Sequence, residues 1–344
     1  MSDFYDGTKL LSLKDINGNK PELFMCTTNR SAGKTTYFSR NLVNNFLKKG
    51  EKFMLLYRWS YELDNVDDKF FKDIQKLFFN DFVMESKIKD KGVYAELTLN
   101  GAKCGYAVAL NKAEQIKKLS HFFSDVSTMF MDEFQSETNT YVPKEVTKFL
   151  SIYKSVARGN GEQTRYVRVI MCSNPVSLLN PYYVEMGITS RLNDNTKFLR
   201  GNGFVIEQGY NESAQLAQEQ SGVMQAFKQN TYVSYSGQGV YLNDNTAFIE
   251  KPKGFGKYVC TLKYDGRNYA VRQYLEAGIL YCDDSADMTF PIKITVKTED
   301  HDINYVMLRA HDQTISMLRY YFEKGCFRFK DLQCKDALLN CLSY

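Results

Sequence analysis

Eight residues, Thr28-Asn29-Arg30-Ser31-Ala32-Gly33-Lys34-Thr35, have the spacing of a phosphate-wrapping loop, with threonine where the first glycine usually stands. Such a loop works through backbone N–H groups that curl around an anion at a helix start. A lysine reaches the β- and γ-phosphates of ATP, and a hydroxyl binds Mg²⁺. Gly33 allows close backbone approach, Lys34 supplies the charge and Thr35 the hydroxyl; Asn29, Arg30, Ser31, Ala32 and Thr36 complete the candidate nucleotide contacts. The plain alternative is a strand–turn–helix in which Gly-Lys-Thr falls by chance.

The surroundings favour the loop. "ELFMCTT" (22–28) reads as a short buried strand, and 34–49 places Phe38, Leu42 and Phe46 on one helical face before Lys48-Lys49-Gly50. Farther along, Phe130-Met131-Asp132-Glu133 is an apolar strand running into two carboxylates. In a P-loop ATPase Asp132 would hold Mg²⁺, usually through water, and Glu133 would polarise the attacking water. "VIMCSN" is another buried strand, ending in Ser173-Asn174, whose amide could contact a γ-phosphate or Glu133. Charge on transferring phosphoryl oxygens calls for an arginine. Arg30 lies in the loop; Arg158 ends a helix in the glycine-rich exit "SVARGNG". There it either completes the helix dipole or reaches a neighbouring subunit.

Composition bounds the rest. With 344 residues and 44% hydrophobic content, the chain can build two domains. The net charge of +4 is too mild to announce a nucleic-acid partner, but the first 200 residues hold 29 Lys+Arg against 23 Asp+Glu. A basic first half suits contact with phosphates. Eight cysteines without a C-x-x-C pair argue against zinc and for reduced thiols. Three histidines in unrelated contexts (His121, His301, His311) argue against a histidine-based triad or metal centre and read as surface or structural residues. No signal-peptide pattern and no run of 18 apolar residues occur, so no membrane partner is expected.

Residues 51–59 read as a strand, 67–79 as a helix, 82–110 as a β-hairpin turning at Asn100-Gly101, 126–134 as a strand, 144–158 as a helix and 166–174 as a strand. That alternation predicts an α/β fold with a mostly parallel sheet flanked by helices, and chemistry at the strands' carboxyl ends. A polar helical stretch at 211–229 and a Gly/Asn-rich loop at 234–246 read as a linker. From 257 the pattern turns to β, closed by helical segments at roughly 304–323 and 331–342. The expected organisation is a first domain over 1–208, a linker over 209–245 and a small α+β domain over 246–344.

Taken in order, "TNRSAGKT", "STMFMDEF", "YVPKEVTKFL", "SVARGN", "RVIMCSNPVSLLNPYY" and "AFIEK" resemble the DNA-packaging ATPases of phi29-like phages. These are compact relatives of the large terminases and of the additional-strand, catalytic-glutamate ATPases. The resemblance is dense over 24–183 and thinner from 184 to 344, and "CSNPVSLLNPYY" is its most specific part. It implies that Lys34 and Thr35 bind phosphate and Mg²⁺, that Asp132 is the Walker B metal acid and that Glu133 activates water. Arg158 falls at the trans-acting arginine finger, and Asn174 at a polar partner that restrains the glutamate until ATP and DNA engage. Arg30 matches a loop arginine directed at the γ-phosphate or that glutamate.

The resemblance further implies a pentameric ring on the portal (connector) of the procapsid, in the host cytoplasm, driving double-stranded DNA inward. On the phi29 pattern a structural packaging RNA joins it. The C-terminal domain would be ribonuclease-H-like and would have lost nuclease activity. Asp265 reads as a hairpin turn, and Asp283, Asp284, Asp302 and Asp312 as caps. DNA contact would be electrostatic and blind to sequence, with Lys87, Lys89, Lys91 and Lys103 as candidates. Three rivals stay open: a large terminase with a working nuclease, a nucleotide-binding scaffold without turnover, and a ring helicase.

Overall fold

Apolar runs such as 24–26 and 129–131, every residue of which is buried, can only lie in strands covered on both faces, as a parallel sheet requires. The computed structural model describes residues 4–66, 70–158, 163–192, 196–228, 241, 248–307 and 313–343. Its larger sheet comprises β1 (Leu23–Thr27), β2 (Lys52–Tyr57), β3 (Met84–Lys89), β4 (Tyr94–Leu99), β5 (Ala102–Ala109), β6 (Val126–Asp132), β7 (Arg168–Ser173), β8 (Phe198–Gly201) and β9 (Phe204–Gln208). Their order is β3-β4-β5-β2-β6-β7-β1-β9-β8. Every pairing from β5 across to β9 is parallel, and the pairings β3–β4, β4–β5 and β8–β9 are antiparallel. The fold is the expected mostly parallel α/β sheet.

Its helices include α1 (Thr8–Ser12), α2 (Lys34–Lys49), α3 (Lys72–Phe78), α4 (Ala113–Lys118) and α5 (Glu145–Ala157). Helix α2 packs on α3 and α4 on α5. Phe24, Phe38, Phe53, Phe71, Phe130 and Ile170 belong to one buried cluster that joins α2 and α3 to the sheet. Gly105 is needed where β5 passes β2: a Cβ there would stand 2.2 Å from the carbonyl oxygen of Phe53.

Residues 82–110 form three strands where one hairpin was expected. The Asn100-Gly101 turn is in place, with φ of 48° and 76°, but a second turn through Asp90, Lys91 and Gly92, all at positive φ, adds β3. That turn is charged, so turn composition hides it. The β8–β9 hairpin, turning at Gly203 (φ 76°), had no counterpart in the sequence reading.

The described residues fall into two compact units, 1–174 with 196–239, and 175–195 with 240–344. Residues 175–195 thus group with the C-terminal unit, although they lie within the expected 1–208 domain. The reason is packing: the short helix Thr189–Arg191 lies on the helix Leu332–Leu342, and the Ser190 hydroxyl donates to Asn340. The linker's helical part is present as Glu212–Glu219 and Gly222–Ala226; of the Gly/Asn-rich loop, only Tyr241 is among the described residues.

The second unit carries β10 (Lys257–Tyr264), β11 (Arg267–Tyr274), β12 (Ile279–Asp283), β13 (Lys293–Thr295), β14 (Val306–Met307) and β15 (Phe327–Phe329), in order β14-β13-β10-β11-β12-β15. An antiparallel trio, β12-β11-β10, continues into parallel β13 and β14, the arrangement meant by a ribonuclease-H-like sheet. The β10–β11 turn is Asp265-Gly266, as expected (φ 51° and 71°). The helix expected over 304–323 begins at Gln313, and Val306–Met307 is a strand instead.

Candidate functional site

Strand β1 ends at Thr27 and α2 begins at Lys34, so residues 28–33 are the whole connection. Its curl rests on two left-handed residues, Ser31 (φ 62°) and Gly33 (φ 94°). Gly33 is the N-cap of α2 and no side chain caps the helix start, which suits an anion at those N–H groups. Thr28, the residue in place of glycine, is buried; its N–H donates to the Ser173 carbonyl (3.3 Å). The space a glycine would have provided comes from across the chain. A Cβ at Gly209 would lie 2.8 Å from the Thr28 methyl group, so glycine at 209 makes room for threonine at 28.

Asn29 is fully buried, and its amide exchanges hydrogen bonds with the backbone of Asn211 (Nδ2 to O, 2.9 Å; N to Oδ1, 2.8 Å). Its side chain therefore ties the loop to residue 211. Ala32 is buried, with its carbonyl accepting from the Tyr5 N–H (2.7 Å). Arg30, Ser31 and Thr35 are exposed, and Thr36 half-buried.

Strand β7 lies between β1 and β6, pairing Thr27 with Ser173 and Asp132 with Cys172. The loop, Asn174 and the Asp132-Glu133 pair therefore emerge from three adjacent strands at their carboxyl ends. Lys34 Nζ donates to Asn174 Oδ1 (2.7 Å), and Asn174 Nδ2 donates to Glu137 Oε1 (3.1 Å). Arg30 pairs with the same carboxylate at 3.2 Å. The carboxylate that both side chains engage is thus Glu137, which the sequence reading passed over.

Asp132 Oδ1 accepts from the buried Cys172 thiol (3.0 Å) and from the Glu133 N–H (3.0 Å). Thr35, Asp132 and Glu133 line one cleft of about 510 Å³ with Ser39, Tyr57 and Glu62. Desolvation first, then the charges of Asp132 and Glu137, hold the Glu133 carboxyl above the ordinary glutamate value, against Arg30 and Arg58. Glu133 has a φ of 55°, a left-handed conformation costly for a residue with a side chain.

Arg58, the first residue beyond β2, reaches this turn. Its Nη1 donates to the Glu133 carbonyl (2.6 Å), its Nη2 to the Phe134 carbonyl, and its Nε to both Glu145 oxygens (3.1 Å each). Glu145, the buried first residue of α5, also accepts from the Val142 N–H (2.9 Å). The signal for Arg58 resembled the one that marked Asp132, a polar residue closing an apolar strand; Glu137 sits in the polar stretch "QSETNT", which offers none.

Arg158 stands apart. It follows α5, exposed and extended. A helix of 13 residues separates it from Glu145 by about 20 Å at ~1.5 Å per residue. The α5 C-terminus is closed by Arg165 instead: its N–H donates to the Ala157 carbonyl and its guanidinium to the Val156 carbonyl, both at 2.9 Å.

A loop of phosphate-loop spacing between a parallel strand and a helix, with the further strand β7 inserted in the sheet between that strand and the Asp-Glu strand β6, defines a P-loop nucleoside triphosphatase fold of the additional-strand class. The family model described as Podovirus DNA encapsidation protein (Gp16) matches residues 1–342. The chain belongs to that family and is a subunit of a viral DNA-packaging motor. It is 26% identical over 330 residues to the DNA packaging protein of Bacillus phage phi29, covering 95% of this chain and 93% of that protein. It is 25% identical over 321 residues to the DNA packaging protein of Bacillus phage B103 (92% and 93%). Among solved structures it resembles a chain of the bacteriophage phi29 viral genome packaging motor assembly, with a TM-score of 0.53, 24% identity and 97% of each chain covered. It also resembles the Phi-28 gp11 DNA packaging motor, with a TM-score of 0.56, 16% identity, and 100% and 97% coverage.

Proposed function

We propose that the chain hydrolyses ATP at a site completed by a second copy of itself, and that this turnover drives double-stranded DNA into a procapsid. The observation that carries the reading is the separation just described. Thr35, Asp132 and Glu133 line one cleft, while Arg158, whose helix-closing task falls to Arg165, projects from the far end of α5. An exposed arginine without that structural duty is suited to a neighbour's nucleotide.

In this reading the loop N–H groups and Lys34 hold the β- and γ-phosphates. Breaking the Lys34–Asn174 bond on ATP binding releases Asn174 Oδ1, so that the amide, already donating to Glu137, can shift toward Glu133. Glu133 accepts the proton of the water that attacks the γ-phosphorus, and ADP leaves with the bridging oxygen. The Thr35 hydroxyl and the Asp132 carboxylate, hard oxygen donors lining one cleft, fit Mg²⁺. Bound there, Mg²⁺ would supply charge neutralisation at the phosphates. Arg158 from the neighbouring copy stabilises the transferring phosphoryl group. The partners implied are duplex DNA, the portal and further copies in a ring, on the phi29 pattern five with a packaging RNA.

Steady-state ATP hydrolysis across a protein concentration series, with and without blunt duplex DNA, tests this. The specific rate is expected to rise with both. Arg158→Ala should still bind ATP yet lose about 10³–10⁵ in rate. A rate flat in concentration, indifferent to DNA and insensitive to Arg158 would overturn the shared site.

A further inference from the structure

We propose that Arg58, held by Glu145, is the positioning residue that fixes the turn carrying Glu133, so that its carboxylate faces the cleft. This rests on the reading of Glu133 as the water-activating group.

The turn needs such a device. From 133 to 145 the chain passes through three non-glycine residues at positive φ, Glu133 (55°), Asn139 (54°) and Lys144 (57°). Strained residues persist only where the surroundings over-determine them. The Arg58 guanidinium is at the centre of that segment. It binds two successive carbonyls at its start, Glu133 and Phe134, and the carboxylate at its end, Glu145. The Tyr141 ring lies 5.0 Å from it, and the Tyr141 hydroxyl accepts from the Ser136 N–H (3.1 Å). Only a planar fork with several fixed donors can meet two carbonyls and a carboxylate at once. Side-chain exposure is 11% for Arg58 and 1% for Glu145, so water does not substitute for these bonds.

Strand register makes the placement specific. β2 is the parallel neighbour of β6, with Leu56 opposite Met131, so the residues just beyond β2 stand beside the turn that follows β6. Toward Glu133, Arg58 bonds only to the backbone, and its charge also opposes the rise in the Glu133 carboxyl's pKa; Arg58→Lys keeps that charge, so a loss in the lysine variant reports the hold on the turn.

Arg58→Ala leaves the buried Glu145 carboxylate unpaired and risks unfolding, so two other variants carry the test. Arg58→Lys keeps the charge and loses the fork. The double change Arg58→Gln with Glu145→Gln removes both buried charges together. ATPase rates, affinity for a non-hydrolysable ATP analogue, melting temperature and hydrogen exchange of 133–137 are measured for each. The expected result is a fall in kcat of about 10²-fold, the scale of a 1 Å misplacement, with analogue affinity and melting temperature near wild type. Exchange of 133–137 should be faster, and lysine should not rescue the rate. Variants within about threefold of wild type in kcat, or with unchanged exchange, overturn the positioning role while the shared ATPase site stands. A wild-type protein without ATP hydrolysis overturns both.

Discussion

At the scale of single residues, Glu133 is held in a state that its own chemistry disfavours. Its φ of 55° costs roughly 1–2 kcal/mol relative to glycine. Its ionised form is further penalised by desolvation and by Asp132 and Glu137. A carboxyl raised in the folded state stabilises the fold only while protonated, and that contribution is lost as pH rises through the folded pKa. At neutral pH both effects therefore weigh against Glu133. Glu133→Gly is expected to abolish ATP turnover and yet to stabilise the nucleotide-free protein by about 1 kcal/mol or more, seen as a higher melting temperature. Calorimetry checks this; a lower melting temperature would mean that the carboxylate supports the fold. Lys34 and Thr35 were legible as candidates because a phosphate-wrapping loop has a fixed spacing, and Asp132 and Glu133 because two carboxylates close an apolar strand. Arg58 closes an apolar strand much as Asp132 does, but its partner Glu145, and Glu137, were hidden, because strand register and a turn bring them to the site and both lie outside any local motif.

At the scale of elements, the sheet order does the positioning. With β7 between β1 and β6, Asn174 emerges between the loop and the acidic pair, and Lys34 meets it at 2.7 Å. The order depends on close approach of β2 and β5 at Gly105. Gly105→Ala would drive a methyl into the Phe53 carbonyl, 2.2 Å away. A loss of about 1–3 kcal/mol or more is expected, read as a lower urea midpoint. An unchanged midpoint would show that the two strands can part without cost. The strands β1, β2, β6 and β7 and helices α2 and α5 were legible because each is a strong apolar run or stripe. The short pieces were not. β8, β14 and β15 span four, two and three residues, too few for periodicity, and exist because a neighbouring strand supplies their hydrogen bonds.

At the scale of the molecule, the two units divide charge differently. In the second unit four of the five carboxylates weighed for a two-metal nuclease are engaged by cations, and the fifth, Asp312, lies outside the described residues. Asp283 pairs with Arg272 (2.6 Å) and Lys251 (3.2 Å), Asp284 with Lys330 (2.5 Å), Asp302 with Lys263 (3.3 Å) and Asp265 with Lys297. Asp283 is almost wholly buried, so Asp283→Asn is expected to cost about 3 kcal/mol by leaving Arg272 uncompensated. Plasmid incubated with the protein and Mg²⁺ or Mn²⁺ should stay uncut. Metal-dependent cutting that survives Lys34→Ala but vanishes in Asp283→Asn would restore the working terminase nuclease. In the first unit, Lys87 and Lys91 are exposed along and beside edge strand β3, whereas Lys103 is taken by Glu96 (2.6 Å). Lysines on an edge strand also deter edge-to-edge pairing, so their presence alone does not mark the DNA path.

Helix α5 has one further consequence. It starts at the Arg58–Glu145 pair beside its own subunit's Glu133 and ends one residue before Arg158. In the ring proposed above it acts as a ruler between successive active sites. Shortening it by one residue would retract Arg158 by about 1.5 Å and swing it by about 100°, more than any side chain could correct while keeping its aim. If Arg158 serves a neighbour's site as proposed, the number of residues in that helix would set the gap between adjacent copies.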